Sequence, residues 1–330
     1  MSQKEFDVIG IGHALMDIIV DVDDAFLEEM NVSKGSMTLI DDAKHKEIIE
    51  KISIKNSTEA AGGSAANTIK GVSILGGKSA FMGTIGNDRY GKTYEKLLED
   101  IQVKSILSKN NKNTGTAIIC VTPDGERTMM TYLGAASEFR EKDVNEESIK
   151  NSKILHIEGF FIGNPETEKA VLKAMKIAKA NGTKISMDLS DAGLIRAKID
   201  SFKKLLKEYV DVAFVNEHEA KAFTGVEEED AVHKLAEYCD VAIVKIGSKG
   251  SLIKHHNKTT YKIPINKVNV VNTNGAGDAY AAGILYSIAH DIPMDKAGKI
   301  ASYISSQVVS IQEATLSRSL KDDVERILRE

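Results

Sequence analysis

Short, nearly continuous apolar runs alternate along the chain with longer stretches in which apolar residues recur at helical spacing. The first pattern suits strands covered on both faces and the second suits the helices that cover them, so the alternation predicts parallel βαβ units. Asp7 to Gly12, Ser79 to Ile85, Ile154 to Phe161, Lys184 to Leu189, Val210 to Asn216 and Val241 to Ile246 read as strands. Ala65 to Leu75, Tyr90 to Ile101, Thr167 to Asn181, Ser201 to Tyr209, Glu229 to Cys239, Gly277 to His290 and Met294 to Ile311 read as helices. Asn181-Gly182 supplies the left-handed cap expected at a helix end.

Two regions break the alternation. Ala14 to Val22 with Ser36 to Ile40, and Thr114 to Val121 with Arg127 to Leu133, read as extended segments joined by turns such as Pro123-Asp124-Gly125. They are expected to form a small sheet projecting from the main body, a discontinuous β lid near residues 14–41 and 113–134 on a single domain spanning 1–330. The sequence has no internal repeat, low-complexity tract or linker-like segment.

Composition narrows the class. The 330 residues can bury a large α/β core, and 42% hydrophobic with 28% charged residues is ordinary for a globular protein. With 43 basic against 48 acidic residues the formal charge is −5, without the basic excess that marks nucleic-acid binding. Cys120 and Cys239 make no metal-ligand or redox spacing, which fits a reducing compartment. No apolar signal core opens the sequence and no stretch approaches the length of a membrane span, so a cytoplasmic protein that binds neither membrane nor nucleic acid is expected; monomer and homodimer both stay open.

The chemistry concentrates where glycines interrupt the pattern. In Asn272-Thr273-Asn274-Gly275-Ala276-Gly277-Asp278, small residues let the backbone approach a ligand, and their amides at a helix N-terminus form a concave donor set for phosphate oxygens. Asp278 would stand beside the transferring group and could accept a proton from an attacking hydroxyl. The plain alternative is a helix N-terminus with an acid in its first turn. A second element, Gly62-Gly63-Ser64-Ala65-Ala66-Asn67, precedes a helical pattern, and Ser64 and Asn67 can hydrogen-bond hydroxyls. A third, Gly10-Ile11-Gly12-His13, follows a strand but lacks the last glycine of a dinucleotide fingerprint and leads into an extended segment. The lysine-bearing phosphate loop of P-loop kinases is absent as well.

Four motifs in order, Gly62-Gly63-Ser64 with Asn67, Gly86-x-Asp88-x-x-Gly91, Asn216-Glu217-His218-Glu219 and Gly275-Ala276-Gly277-Asp278, resemble the ribokinase-like (PfkB) carbohydrate and nucleoside kinases over nearly the whole chain. The resemblance implies an α/β fold, a ribokinase-like three-layer sandwich with a central, mostly parallel sheet and a small β-sheet lid. It implies Asp278 as catalytic base and the amides of Gly275, Ala276 and Gly277 as stabilisers of the transferring phosphoryl group. It further implies ATP and phosphate contacts from Asn216, Glu219, Lys245, Gly247 and Thr273. Mg²⁺ would be placed near Glu219 through water, and a monovalent cation is left as an option.

Within that family the likeness is to adenosine kinases and their bacterial relatives, carried by Asp17 in Gly12-His13-Ala14-Leu15-Met16-Asp17, by Arg127 to Ala136, and by Glu158-Gly159-Phe160-Phe161. It implies an acceptor pocket in which Asp17 holds two ribose hydroxyls, with His13, Gly62, Gly63, Ser64 and Asn67 around it. Phe161 would lie against the purine, and Arg127 would sit on the lid over the phosphates. The alternative for the paired aromatics is that they finish a buried strand. The helix N-terminus is expected to keep the Asp278 pKa low enough for the group to remain ionised. Two departures stand out: His13 where adenosine kinases usually carry Asn, and Asn272 in place of the commoner Asp, near where some members bind a monovalent cation. The expected reaction is transfer from ATP to the 5′-hydroxyl of adenosine or a related purine nucleoside. The alternatives are a sugar kinase of the ribose or fructose class and a non-catalytic nucleoside-binding regulator.

Overall fold

Apolar side chains that alternate between two faces build the central sheet. In Val212–Asn216, Val212 and Phe214 enter one core while Ala213 and Val215 enter the other, and Val241–Lys245 repeats the arrangement with Val241 and Ile243 against Ala242 and Val244. Both faces must therefore be covered, which is the condition for a parallel sheet. The computed structural model describes residues 4–52, 56–255, 260–311, 314, 316 and 318–329. In it the strands are β1 Phe6–Ile11, β2 Leu15–Asp21, β3 Met37–Leu39, β4 Thr58–Gly62, β5 Ser79–Gly86, β6 Val103–Asn110, β7 Gly115–Val121, β8 Arg127–Tyr132, β9 Ser152–Glu158, β10 Lys184–Asp188, β11 Val212–Asn216, β12 Val241–Lys245, β13 Ser251–His255 and β14 Tyr261–Ile263.

Nine of these form the large sheet in the order β14-β13-β12-β11-β10-β9-β1-β5-β6. Pairing is parallel from β12 to β6, and only β13 and β14 run antiparallel to their neighbours. One face is covered by Pro165–Ala180, Ile199–Tyr209, Glu217–Thr224 and Glu228–Leu235, and the other by Ser64–Ile74, Arg89–Asp100, Ala276–Ala289 and Met294–Val309. The architecture is thus the three-layer α/β sandwich expected from the motifs. Ligands of such sheets bind outside the carboxyl ends of the strands, where Glu158, Asp188, Asn216 and Lys245 all lie.

The second sheet has five strands in the order β3-β8-β7-β2-β4, over a separate apolar cluster that includes Ile18, Leu27, Ile48 and Met130. Its β2, β3, β7 and β8 are the extended segments read from the sequence. The fifth, β4, was not anticipated, because Thr-Glu-Ala-Ala-Gly has weak strand propensity and is held by pairing with β2. The edge strand β6 was also missed, since much of it is half-exposed and its apolar pattern is interrupted.

The predicted strand Ile154 to Phe161 requires correction: β9 ends at Glu158, and Gly159–Gly163 is a 3₁₀ turn. The backbone of Gly159 lies so close to β10 that a Cβ would sit 2.6 Å from the Leu189 carbonyl oxygen, and the chain turns there. The helix expected from Glu229 to Cys239 stops at Leu235.

Candidate active site

Two glycine turns, each opening a helix, bring the chemistry of distant segments together. Gly275 adopts φ 76°, in the left-handed region, and a Cβ there would lie 2.1 Å from the Ala314 carbonyl oxygen, so both conformation and space call for glycine. The turn opens the helix Ala276–Ala289 and places Asp278 in its first turn. Ala276 N–H reaches the Thr273 carbonyl at 3.3 Å, while the amides of Gly275 and Gly277 have no acceptor among the described residues. Those two are the open donors expected at a helix N-terminus.

The Asp278 carboxylate is held by the neighbouring helix Ser64–Ile74. Ser64 Oγ donates to Oδ1 at 2.8 Å and Asn67 Nδ2 to Oδ2 at 3.1 Å. Ser64, expected to meet substrate hydroxyls, is thus occupied by Asp278 in this structure. Asn67 retains a buried Oδ1 with no hydrogen-bond partner, an orphaned acceptor in need of a donor. Burial, reinforced by the Asp188 charge and only partly offset by the Ser64 and Asn67 hydrogen bonds, pushes the Asp278 carboxyl up to about 6. Desolvation thus outweighs the favourable helix N-terminus and raises the group above its ordinary value, though not beyond neutral pH. At neutral pH the group remains ionised and able to accept a proton.

Asp17, on β2, is buried beside the Gly62 turn, where a Cβ would fall 2.1 Å from Asp17 Oδ1. Burial raises its carboxyl to about 6 against the charges of Lys70 and Arg127, with the Asp278 charge adding to the rise. Arg127 on β8 therefore acts electrostatically toward Asp17. Gly63 has φ 95° and packs against the His13 carbonyl.

His13 is bound to a residue that the sequence motif includes but to which no role was given. Glu158, almost wholly buried, accepts from His13 N at 2.8 Å, from His13 Nδ1, and through its other oxygen from Ala65 N at 3.1 Å. Because the same carboxylate oxygen faces Nδ1 and the backbone N–H, Nδ1 carries a proton, leaving Nε2 as the ring's other polar atom. Phe161 meets the His13 ring edge-on at a centroid distance of 4.4 Å and has no exposed surface. The expectation that Phe161 lies against a ligand is corrected accordingly: its ring is enclosed by His13 and Phe139, and the half-exposed aromatic of the pair is Phe160.

Next to the glycine turn a cavity of about 800 Å³ is lined by Asn216, Lys245, Gly247, Thr273, Ala276 and Gly277 among others. Ile265, Val268 and Val270 give it an exposed apolar wall that sequence reading did not single out, although the apolar residues of an irregular segment were its signal. Lys245 Nζ is bonded to Asp188 Oδ2 at 2.8 Å and would stand 3.0 Å from a Cβ on Gly277, so a cation adjoins the turn. Burial works against that charge, yet Asp188 and Glu219 hold the Lys245 pKa above its ordinary value.

Glu219 is placed differently from expectation. It lies behind Asn216 rather than in the cavity wall, in a reciprocal capping box: Asn216 N and Nδ2 donate to its two oxygens at 2.8 and 2.6 Å. Burial first, and then the Asp188 charge, raise its pKa. Among the described residues no three His, Cys, Asp or Glu side chains gather as a metal site, and Asp188 is engaged by Lys245. The donor set therefore does not fit a metal ion held by the protein alone. Asn272 Oδ1 accepts from Asn274 N at 3.0 Å, so the amide shapes the turn leading to Gly275.

A glycine turn with two open amides, a buried carboxylate in the first helical turn and an open cavity beside it are the parts that phosphoryl transfer requires. The pfkB family carbohydrate kinase profile matches residues 28–320, and the chain belongs to that family. It is a kinase with an alcohol group as acceptor, of the nucleoside or sugar kinase type. The chain is 29% identical to adenosine kinase 1 of Arabidopsis thaliana over 94% of its own length and 96% of that protein's. It is 25% identical to 5-dehydro-2-deoxygluconokinase of Bacillus licheniformis, covering 99% and 97%. The solved adenosine kinase of Sinorhizobium meliloti superposes with a TM-score of 0.89 at 32% identity, over 98% of this chain and 99% of that one. No helix among the described residues is long and apolar enough to cross a membrane.

Proposed function

We propose that this kinase transfers the γ-phosphoryl group of ATP to the 5′-hydroxyl of adenosine or a closely related purine nucleoside, releasing ADP and the nucleoside monophosphate. The observation that carries the reading is the pairing of two buried acids with one orphaned acceptor: Asp17 beside Gly62, Asp278 held by Ser64 and Asn67, and Asn67 Oδ1 without a partner. Asp17 takes two vicinal ribose hydroxyls and Asn67 Oδ1 another donor of the acceptor, so that the 5′-hydroxyl is presented to Asp278. Fixing that orientation supplies much of the rate gain.

As the bond from the 5′-oxygen to the γ-phosphorus forms and the bond to the β–γ bridging oxygen breaks, ADP leaves with the electron pair. Asp278 receives the hydroxyl proton, late, because a loose transition state needs little nucleophile activation. The amides of Gly275 and Gly277, with the Lys245 ammonium, stabilise charge on the transferring group. The apolar wall of Ile265, Val268 and Val270 accommodates the nucleotide base. Family members usually use ATP with Mg²⁺; such an ion would enter with the nucleotide and would screen its phosphate charge. The small sheet bearing Asp17 and Arg127 acts as the lid that excludes water.

The purine assignment is supported by the likeness to adenosine kinases. A sugar or sugar-acid acceptor is the second reading, favoured by burial of Phe161, which removes a stacking face, and by the match to a 5-dehydro-2-deoxygluconokinase. The deciding experiment is an acceptor panel with Mg-ATP: adenosine, other nucleosides, ribose, fructose and 5-dehydro-2-deoxygluconate. Adenosine is expected to give the highest kcat/KM. A higher value for a free sugar or sugar acid overturns the nucleoside assignment.

A further inference from the structure

One buried cation in this region has no part in the reaction as written. Lys70 follows Asn67 by one turn on the helix Ser64–Ile74 and lies on the same face. It is only 4% exposed, and its ammonium donates to the carbonyl of Ala61, the residue preceding Gly62. Ala61 pairs with Met16 and Ala60 with Asp17 across β4 and β2, so the ammonium is tied to the strand that backs the Asp17 carboxylate. A carbonyl satisfies one donor but neutralises no charge, and an isolated ammonium at this depth would be costly. The opposite charges that reach it are Asp17 and Asp278, the two acids of the site.

We propose that Lys70 is a positioning residue for phosphoryl transfer: an ammonium fixed behind the Gly62 turn whose charge keeps Asp17 ionised beside the ionised Asp278. One acid can then hold the acceptor diol while the other receives its proton. The role in the reaction rests on the kinase reading above.

The surrounding charges support this division of labour. Asp17 is faced by Lys70 from the Ser64–Ile74 helix, by Arg127 from β8 and by Asp278 from the Ala276–Ala289 helix, and Lys70 is the largest charge opposing the effect of burial on it. Asp278 is faced by Asp188 and Lys245 from β10 and β12, and by the uncharged donors Ser64 and Asn67. Asp17 and Glu158 also bear on the buried Tyr94 phenol, whose hydroxyl donates to the Gly62 carbonyl at 2.9 Å. Burial carries both acids up to about 6 and draws the ammonium down to about 8, so all three are charged between those values. Without Lys70, Asp17 would face the Asp278 charge in a dry site with Arg127 as the weaker opposing charge, and its protonation would move toward neutral pH.

The test is a carboxyl titration of the ligand-free protein labelled at aspartate Cγ, followed by carbon-13 NMR, with Asp17→Asn and Asp278→Asn assigning the signals. Lys70→Met is expected to raise the Asp17 midpoint by roughly one to three pH units, the usual effect of losing a nearby opposite charge, and to move the Asp278 midpoint less, because its own opposing cation is Lys245. Lys70→Arg, which keeps the charge, is expected to hold them in place. The acid limb of kcat/KM for adenosine should move with the Asp17 midpoint, and the rate should recover at high pH. An unmoved Asp17 midpoint in a folded Lys70→Met protein would overturn the proposal and leave Lys70 as a tether for the Ala61 carbonyl. If Lys70→Met does not fold, Lys70→Arg decides: an Asp17 midpoint that rises in spite of the retained charge contradicts the proposal. Because the titration needs no substrate, a wild-type protein that phosphorylates nothing would sink the kinase reading while the charge assignment is still decided.

Discussion

At the scale of single residues, the site depends on acids placed where only glycine leaves room for them. Asp17 fits because Gly62 has no side chain, and it is expected to bind the acceptor alone. Asp17→Ala should raise the acceptor KM by about 10- to 100-fold, since each charge-assisted bond contributes roughly 1.5–3 kcal/mol, while titration with ATP should change by no more than about twofold. Equal weakening of both ligands would point to a folding or lid defect instead. Glu158→Gln makes a different point. An amide cannot accept from His13 and from Ala65 N–H at once, so one buried donor is stranded, costing about 1–3 kcal/mol of stability. The His13 side of the pocket loosens with it, and calorimetric titration should show weaker acceptor binding with ATP binding retained. Unchanged acceptor affinity would remove His13 from the pocket. Asp278 was legible in the sequence because a glycine turn precedes it, and Asp17 through the likeness to adenosine kinases. The role of Glu158 was not, because its partner His13 is 145 residues away and nothing local marks the pair. Lys70 and Asp188 escaped for the same reason: an ion in a strand end or helix interior reads as ordinary until the fold shows its neighbours.

At the scale of elements, the distance between the two halves of the site is set by three helices packed through small residues. A Cβ on Gly71 would lie 2.5 Å from the Cβ of Ala282, and one on Gly283 would lie 2.4 Å from the Cα of Ala301. Replacing a mid-helix glycine by alanine ordinarily gains about 0.5–1 kcal/mol, but neither methyl at the Gly71 contact can rotate away, and overpacking costs about 1–3 kcal/mol. The clash should win. Gly71→Ala is therefore expected to lower the urea midpoint, and to lower kcat more than it raises either KM, because it parts Ser64 and Asn67 from Asp278. A gain in stability with normal turnover would show that this packing does not set the geometry. Apolar periodicity revealed these helices and the buried parallel strands well, because burial on both faces leaves a strong pattern. It failed for β4 and β6, where strand identity comes from a partner rather than from composition, and for the turn after Glu158, where contact with β10 ends the strand.

At the scale of the whole molecule, function is held at a cost in stability with a definite pH signature. Asp17 and Asp278 have folded pKa values of about 6 against 3.8 for the free group, so the folded state binds their protons more tightly. Their contribution is fully present below the unfolded value and is lost as pH rises through about 6. Other acids, including Asp7 and Asp88, are shifted downward and act in the opposite sense, so the signature is read from a difference between variants. Asp278→Asn should unfold at a higher temperature than wild type at pH 8, by on the order of 1 kcal/mol, and the gain should vanish near pH 4. A gain that persists in acid would mean that the carboxylate is not strained by burial. The same variant gives the most direct test of the central claim, that a base at the mouth of the Ala276–Ala289 helix serves phosphoryl transfer. Single-turnover rates and equilibrium binding of adenosine and ATP should be measured on Asp278→Asn beside wild type. Binding within a few-fold with turnover lowered on the order of 10²-fold or more is the predicted result. Turnover near the wild-type rate with binding intact would take Asp278 out of the chemistry.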